Sequence, residues 1–225
     1  PADGIAILNA DDRRVRSMNS LTPATCLLFG EAGDADVRVR EVVLDELARP
    51  SFVVDTPWGS TDVHLSISGR HMVSNAAAAL ACVGAVGGDV AAGAAVLSTV
   101  GLTAMRMQIE RSVSGAIILN DSYNANPTSM RAAIDALVDL PAIRRVALLG
   151  VMAEISDAAL EHLAIAKYAA ERGVEVIAIG TDLYGVEQSA DAATALGLLS
   201  GNDAVLVKGS RVAGLEKLAA FLVAR

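Results

Sequence analysis

Apolar and polar residues follow two rhythms along this chain, and the change of rhythm divides it. The runs Gly4-Ile5-Ala6-Ile7-Leu8 and 26–30 read as buried strands, the first followed by the polar turn Asn9-Ala10-Asp11-Asp12. Over 37–68 charged residues come between apolar ones, around Pro57-Trp58-Gly59. Period two with a Pro/Gly turn predicts an antiparallel meander with one wet face, and Trp58 is expected to cover the rim of that sheet. Gly69-Arg70-His71 opens an alanine-rich helix expected over 72–86, and Asp89 caps a second helix reaching about residue 100. An uncapped apolar strand at the start is expected to mean that the chain begins inside a domain.

Residues 101–107 show no period and are expected to form the boundary and the hinge. Beyond them strands are expected at 116–119, 146–150, 174–180 and 204–207. Helices are expected at 128–140, 158–173, 186–199 and 212–223. Such alternation makes an α/β domain with a parallel sheet and right-handed crossovers. The loops after its strands gather at one edge, where open sheets bind ligands. Those loops carry Asp121, Tyr123, Asn124 and Asn126; Val151-Met152-Ala153-Glu154; Asp182 and Tyr184; and Lys208-Gly209-Ser210-Arg211.

Composition narrows the classes. The 225 residues allow one or two domains with real cores. A net charge of −8 argues against a nucleic-acid or anionic-membrane surface. Three lysines stand against fifteen arginines, which singles out Lys208. Cys26 and Cys82 match no metal or redox spacing and lie in apolar runs, so both are expected as buried thiols of a reducing compartment. No signal peptide pattern opens the chain, and the apolar run 76–88 is too short to span a bilayer. A cytoplasmic protein is expected.

The chemistry concentrates in Asn120-Asp121-Ser122-Tyr123-Asn124-Ala125-Asn126-Pro127. Asp121 can accept from a hydroxyl pair, Tyr123 offers a flat face and the asparagines offer amide edges, a set that suits a nucleoside better than a metal. The alternative is a capped turn, since Asn, Asp and Ser favour such positions anyway. His71 and Asn75 share the first turn of a helix, as ligand contacts or as capping groups. Lys208, Ser210 and Arg211 stand before a helix start, where a carboxylate or phosphate is attracted, or on a solvated loop. No Gly-x-x-x-x-Gly-Lys-Ser/Thr, Gly-x-Gly-x-x-Gly, nucleophile elbow or paired-cysteine site occurs in the sequence. No complete catalytic set or metal site is therefore expected in these residues.

The motifs taken in order resemble the Mur ligase family of peptidoglycan synthesis. The match runs through Gly4 to Asp12, Gly69-Arg70-His71 with Asn75, Arg106-Met107, Asp121-Ser122-Tyr123-Asn124-Ala125-Asn126-Pro127 with Ser129-Met130-Arg131, Met152-Ala153-Glu154, and Lys208-Gly209-Ser210-Arg211. Met72 stands where the family usually has Asn, and Val151 where it usually has an acid. The Tyr-Asn-Ala-Asn-Pro and Lys-Gly-Ser-Arg forms look most like the member that joins D-alanyl-D-alanine to a UDP-N-acetylmuramoyl-tripeptide.

The resemblance implies a partial ATPase-type central domain over 1–104, followed by a Rossmann-like C-terminal domain over 105–225. It implies ATP contacts from His71, Asn75, Arg106, Asp121, Tyr123, Asn124 and Asn126. It implies substrate contacts from Lys208, Ser210 and Arg211. The phosphate loop and the Mg²⁺ ligands would lie upstream, so the isolated chain is expected to be an inactive monomeric fragment. In the family mechanism a substrate carboxylate attacks the γ-phosphate of ATP, and an amine then displaces phosphate from the acyl-phosphate, with closure at 101–107. Two alternatives stand beside this reading: another Mur-type amino-acid ligase, and a non-catalytic nucleotide-binding or interaction module.

Overall fold

A computed structural model describes residues 2–101, 103–189 and 191–225. The chain divides into two compact units, Pro1–Asp45 with Arg49–Gly101, and Glu46–Ala48 with Leu102–Arg225. Residue 102 of the expected hinge lies outside the described residues.

The first unit is built on a sheet in the order β1 (Ile5–Asn9), β2 (Thr25–Gly30), β3 (Val37–Leu44), β4 (Pro50–Thr56) and β5 (Gly59–His64). β3, β4 and β5 form the expected antiparallel meander, whereas β1, β2 and β3 run parallel. The β3–β4 register shifts between Arg40 and Val43, where Glu41 takes a left-handed φ of 60°. That is a bulge, which bends the strand. Helix α1 (Arg13–Ser17) is capped by the Asp12 carboxylate, which accepts from Arg14 and Val15 amides.

Helix α2 (Met72–Ala85) buries Met72, Val73, Ala76, Ala77, Leu80, Ala81 and Gly84. This three-and-four spacing makes one apolar stripe, and α2 packs through it against the sheet. Trp58 lies flat on Gly84, where a Cβ would fall 2.2 Å from the indole. The rim role expected of Trp58 thus depends on a residue without a side chain in the facing helix. Helix α3 (Val90–Leu97) is capped by Asp89 as expected and stops short of residue 100. Neither cysteine is buried as expected: Cys26 is half-buried and Cys82 exposed. Cys82 falls outside the buried stripe of α2, so its apolar neighbours in sequence are not its neighbours in space.

The second unit has a six-stranded sheet in the order β10-β9-β8-β11-β7-β6. These strands are β6 (Gln108–Arg111), β7 (Ile117–Asp121), β8 (Arg144–Leu149), β9 (Glu175–Ile179), β10 (Gln188–Ser189) and β11 (Asp203–Lys208). β7, β11, β8, β9 and β10 are parallel, and β6 adds an antiparallel edge to β7. β6 was not expected, because Ile109 is its one apolar residue and an edge strand buries little.

Helices α4 (Pro127–Asp139), α5 (Ala158–Ala170), α6 (Ala192–Leu196) and α7 (Glu216–Val223) complete the unit. The alternation along central strands fills both faces. Ile118, Val146, Leu148, Val205 and Val207 pack with Ala192, Leu196, Leu215, Ala219 and Leu222. Ile117, Leu119, Ala147, Leu149 and Leu206 point the other way and are also buried.

Two expected helices are shorter. Over 186–199 only α6 is helical, because Gln188 and Ser189 pair with β9 and Gly197 turns the chain at φ 68°; residue 190 lies outside the described residues. The helix expected over 212–223 begins as a 3-10 turn, Arg211–Ala213, which Gly214 ends in a left-handed conformation before α7. Among the described residues no helix is long and apolar enough to cross a membrane.

Candidate functional site at the carboxyl edge of the second sheet

The β7–β11 ladder ends in a charged rung. Ala204 pairs with Ile117, Leu206 with Leu119, and Lys208 with Asp121. All three rungs share one face by strand alternation, so the register that buries the leucines also carries the lysine inward. The Lys208 side chain is 2% exposed, and its ammonium lies 2.5 Å from Asp121 Oδ2 and 2.8 Å from the Asn124 carbonyl. Burial pulls the Lys208 ammonium below the ordinary lysine value, and the Asp121 carboxylate opposes that pull.

Asp121 Oδ1 accepts the Met107 amide at 3.1 Å. The Tyr123 amide in turn donates to the Met105 carbonyl at 3.1 Å. Met105 and Met107 both take left-handed φ angles, 66° and 48°, which is uncommon for residues with a Cβ. Between them Arg106 projects outward, its Cζ 4.1 Å from the centroid of the Tyr123 ring. Arg211 lies 5.5 Å over the same ring.

Ser210 ties three loops together. Its amide donates to the Val151 carbonyl, and its Oγ accepts from Ala153 at 2.9 Å and lies 3.4 Å from the Ala125 carbonyl. Gly150 and Gly209 let these loops approach: a Cβ on Gly209 would lie 3.1 Å from the Gly150 Cα. Beneath them the Met152 amide donates to His162 Nε2 at 2.9 Å, which sets the imidazole proton on Nδ1, facing the Ala158 carbonyl at 2.6 Å. Tyr184 packs edge-on against His162 and donates to the Gly150 carbonyl at 2.8 Å. Burial pushes the Tyr184 phenol far above its ordinary value, so it stays a donor.

The expected site residues therefore separate by direction. Arg106, Tyr123, Asn124, Asn126 and Arg211 are exposed; Asp121 is half-buried; Lys208 and Ser210 are buried. Lys208 and Ser210 hold loops rather than facing outward, and only Arg211 of the Lys-Gly-Ser-Arg run projects. Asn126 caps α4 through a capping box with Ser129, so the bland reading of the turn holds for that residue. In the first unit His71 and Asn75 are exposed at the start of α2. His71 occupies the N-cap position without a side-chain capping bond, and Asn75 meets the sulfur of buried Met72 at 3.4 Å. Sequence reading missed the Met107 amide and the His162–Tyr184 support. The first carries no side-chain signal; the second was visible only as one of three histidines and one of three tyrosines.

The outward set offers two guanidiniums for an anion, an aromatic ring, amide edges and a carboxylate. A carboxylate has about four lone-pair sites, and Asp121 spends two on Lys208 and Met107. Capacity for two hydroxyl donors remains. Among the described residues no group of three or more His, Cys, Asp or Glu side chains is placed to hold a metal ion.

Two family models match the chain: the Mur ligase middle domain over residues 1–83, and the Mur ligase glutamate ligase domain over residues 105–211. A UDP-N-acetylmuramoyl-tripeptide–D-alanyl-D-alanine ligase of Mycobacterium bovis is 35% identical, covering 100% of this chain and 52% of that protein. The chain thus spans about half the length of the curated relatives it matches. A crystal structure of MurF from Acinetobacter baumannii superposes with a TM-score of 0.85 at 27% identity, over 98% of this chain and 52% of that one. The MurF ligase of Thermotoga maritima, in complex with ADP, shares the fold with a TM-score of 0.83 at 21% identity, over 99% of this chain and 53% of that one.

Proposed function

We propose that this chain, which belongs to the Mur ligase family, forms the nucleotide-facing half of an ATP-dependent ligase that adds D-alanyl-D-alanine to a UDP-N-acetylmuramoyl-tripeptide. The whole activity is read onto a ligase of its relatives' full length that carries these residues. We assign residues 1–104 to the central domain and 105–225 to the C-terminal domain. The observation that carries the reading is the exposed Arg106, Tyr123 and Arg211 group beside Asp121, at the carboxyl ends of β7 and β11. That is where open α/β sheets receive ligands. The ADP named for the Thermotoga maritima relative supports a nucleotide as the ligand.

In this reading Asp121 accepts the ribose hydroxyls through its two remaining lone-pair sites. Arg106 meets the nucleotide's negative charge. Tyr123, Asn124 and Asn126 border the base, with Asn75 and His71 on the adenine. Arg211 faces the dipeptide carboxylate or the acyl-phosphate. Lys208 and Ser210 keep the loops that carry these groups in place. The substrate carboxylate attacks the γ-phosphorus of ATP, ADP leaves, and the dipeptide amine then attacks the acyl carbon as inorganic phosphate leaves. Phosphoryl chemistry of this kind is governed by positioning and charge neutralisation, which is what these side chains supply. The residues described here do not form a Mg²⁺ site, so no step is assigned to one. A monomer in the cytoplasm fits the substrates.

The test is Asp121→Ala in a complete ligase carrying these residues. Each charge-assisted bond to a ribose hydroxyl is worth about 1.5–3 kcal/mol, so the KM for ATP is expected to rise about tenfold or more. The melting temperature falls in either case, because Lys208 loses its partner. An unaltered KM for ATP rejects the ribose role. A protein of these 225 residues alone, which contain no phosphate-loop motif, is expected to release no phosphate above background from Mg²⁺-ATP with both substrates.

A further inference from the structure

We propose that Lys208 is a positioning residue that sets Arg106 and Tyr123 through Asp121. The proposal rests on the nucleotide reading of that site, but its geometry stands without a nucleotide. Lys208 grips both ends of the turn that carries Tyr123: the Asp121 carboxylate before it and the Asn124 carbonyl after it. The gripped carboxylate presents its other oxygen to the Met107 amide. Met107 and Met105 stand on either side of Arg106 in left-handed backbone that non-glycine residues seldom adopt, so this segment needs an external tie. The Met107–Asp121 and Tyr123–Met105 hydrogen bonds supply it. With both ties made, Arg106 is delivered onto the Tyr123 ring.

Its burial keeps Lys208 from contacting a ligand itself: three donors are all that an ammonium has, and the two short contacts above face inward. The role is therefore transmitted. A lysine that merely filled the core would affect stability and leave the Arg106 segment alone.

Amide hydrogen exchange on the 225-residue chain separates the two roles. Protection of the Met107 amide is compared with that of the β7 amides, and the ring-proton shifts of Tyr123 are followed alongside. In Lys208→Met the Met107 amide is expected to lose at least tenfold in protection relative to β7, and the Tyr123 shifts to move as Arg106 leaves the ring. Lys208→Met with Asp121→Asn removes both charges and leaves no buried ion unpaired, so it serves if the single variant does not fold. The same relative loss is expected there. Leu206→Ala, one rung below, lowers stability and is expected to leave the Met107-to-β7 ratio unchanged. An unchanged ratio with unmoved Tyr123 shifts in a folded Lys208 variant overturns the proposal. So does failure of both Lys208 variants to fold, since a residue that only positions a loop is not needed for the core. No nucleotide is present, so this result and the KM result for Asp121→Ala can fail separately.

Discussion

Two ion pairs of the same length, one in each unit, show what a salt bridge is worth. Arg40 and Asp55 in the first sheet approach to 2.5 Å, as do Lys208 and Asp121 in the second. The side chains of the first pair are 38% and 42% exposed, and those of the second 2% and 14%. Water and salt screen the first pair, and the two charges were never fully dehydrated. The second pair was dehydrated on folding, so each partner depends on the other. The first unit has several pairs of the exposed kind, including Arg70–Glu31 and Arg49–Asp45. These decorate a surface. The buried pair organises a site.

The largest expected effect breaks the buried pair from one side. Lys208→Met strands the Asp121 charge and is expected to cost about 3–5 kcal/mol, read as a fall in urea midpoint at constant slope. A loss below about 1 kcal/mol would place this pair with the exposed ones.

A smaller effect is expected at Tyr184, in the same unit but uncharged. Tyr184→Phe keeps the ring against His162 and removes the donor to the buried Gly150 carbonyl. The loss should be about 1–2 kcal/mol, measured in the same denaturant series. An unchanged midpoint would mean that water replaces the hydroxyl.

At the exposed pair the effect should be smaller still and should vanish with salt. The Asp55 carboxyl is held down at about 2 by hydrogen bonds from Arg40 and Ser60. Asp55→Asn is expected to shift the melting temperature slightly in dilute buffer and not at all in 1 M NaCl, where the Debye length is about 3 Å. The Lys208→Met loss should survive that salt. Equal salt sensitivity of the two variants would erase the distinction.

Acid offers the finest comparison. A carboxyl lowered on folding stabilises above its unfolded value, 3.8 for Asp55, and that share is lost as pH falls through about 2. Glu31 is lowered in the same direction by Arg70. The first unit should therefore lose stability progressively between about pH 4 and pH 2, and Asp55→Asn should flatten part of that slope. A slope unaltered in Asp55→Asn would assign the acid sensitivity elsewhere.

Much of the frame was legible because it is written locally. Val146 to Leu149 and Ala204 to Val207 are apolar without a break, which is how a strand covered on both faces reads. Asn126 followed by Pro127 and Ser129 is a helix start by its chemistry alone. Misreadings came where a local pattern met a non-local partner. Residues 186–199 look helical, yet Gln188 and Ser189 are taken by the edge of β9. Cys82 sits among alanines but off the buried stripe of α2.

By itself the sequence determined the alternation of strands and helices in the second unit, the meander and capped helices of the first, and the gathering of polar residues after β7 and β11. These depend on periodicity and caps, properties of neighbours in the chain. Only the tertiary structure decided which way each polar residue faces. Lys208 and Arg211 are three residues apart and read alike as cations before a helix, but one is buried and the other exposed. The difference comes from register: the pairing that aligns Leu206 with Leu119 aligns Lys208 with Asp121, 87 residues away. Two strands that distant can be matched only by the packing of the faces between them, and the charged rung goes wherever that packing carries it.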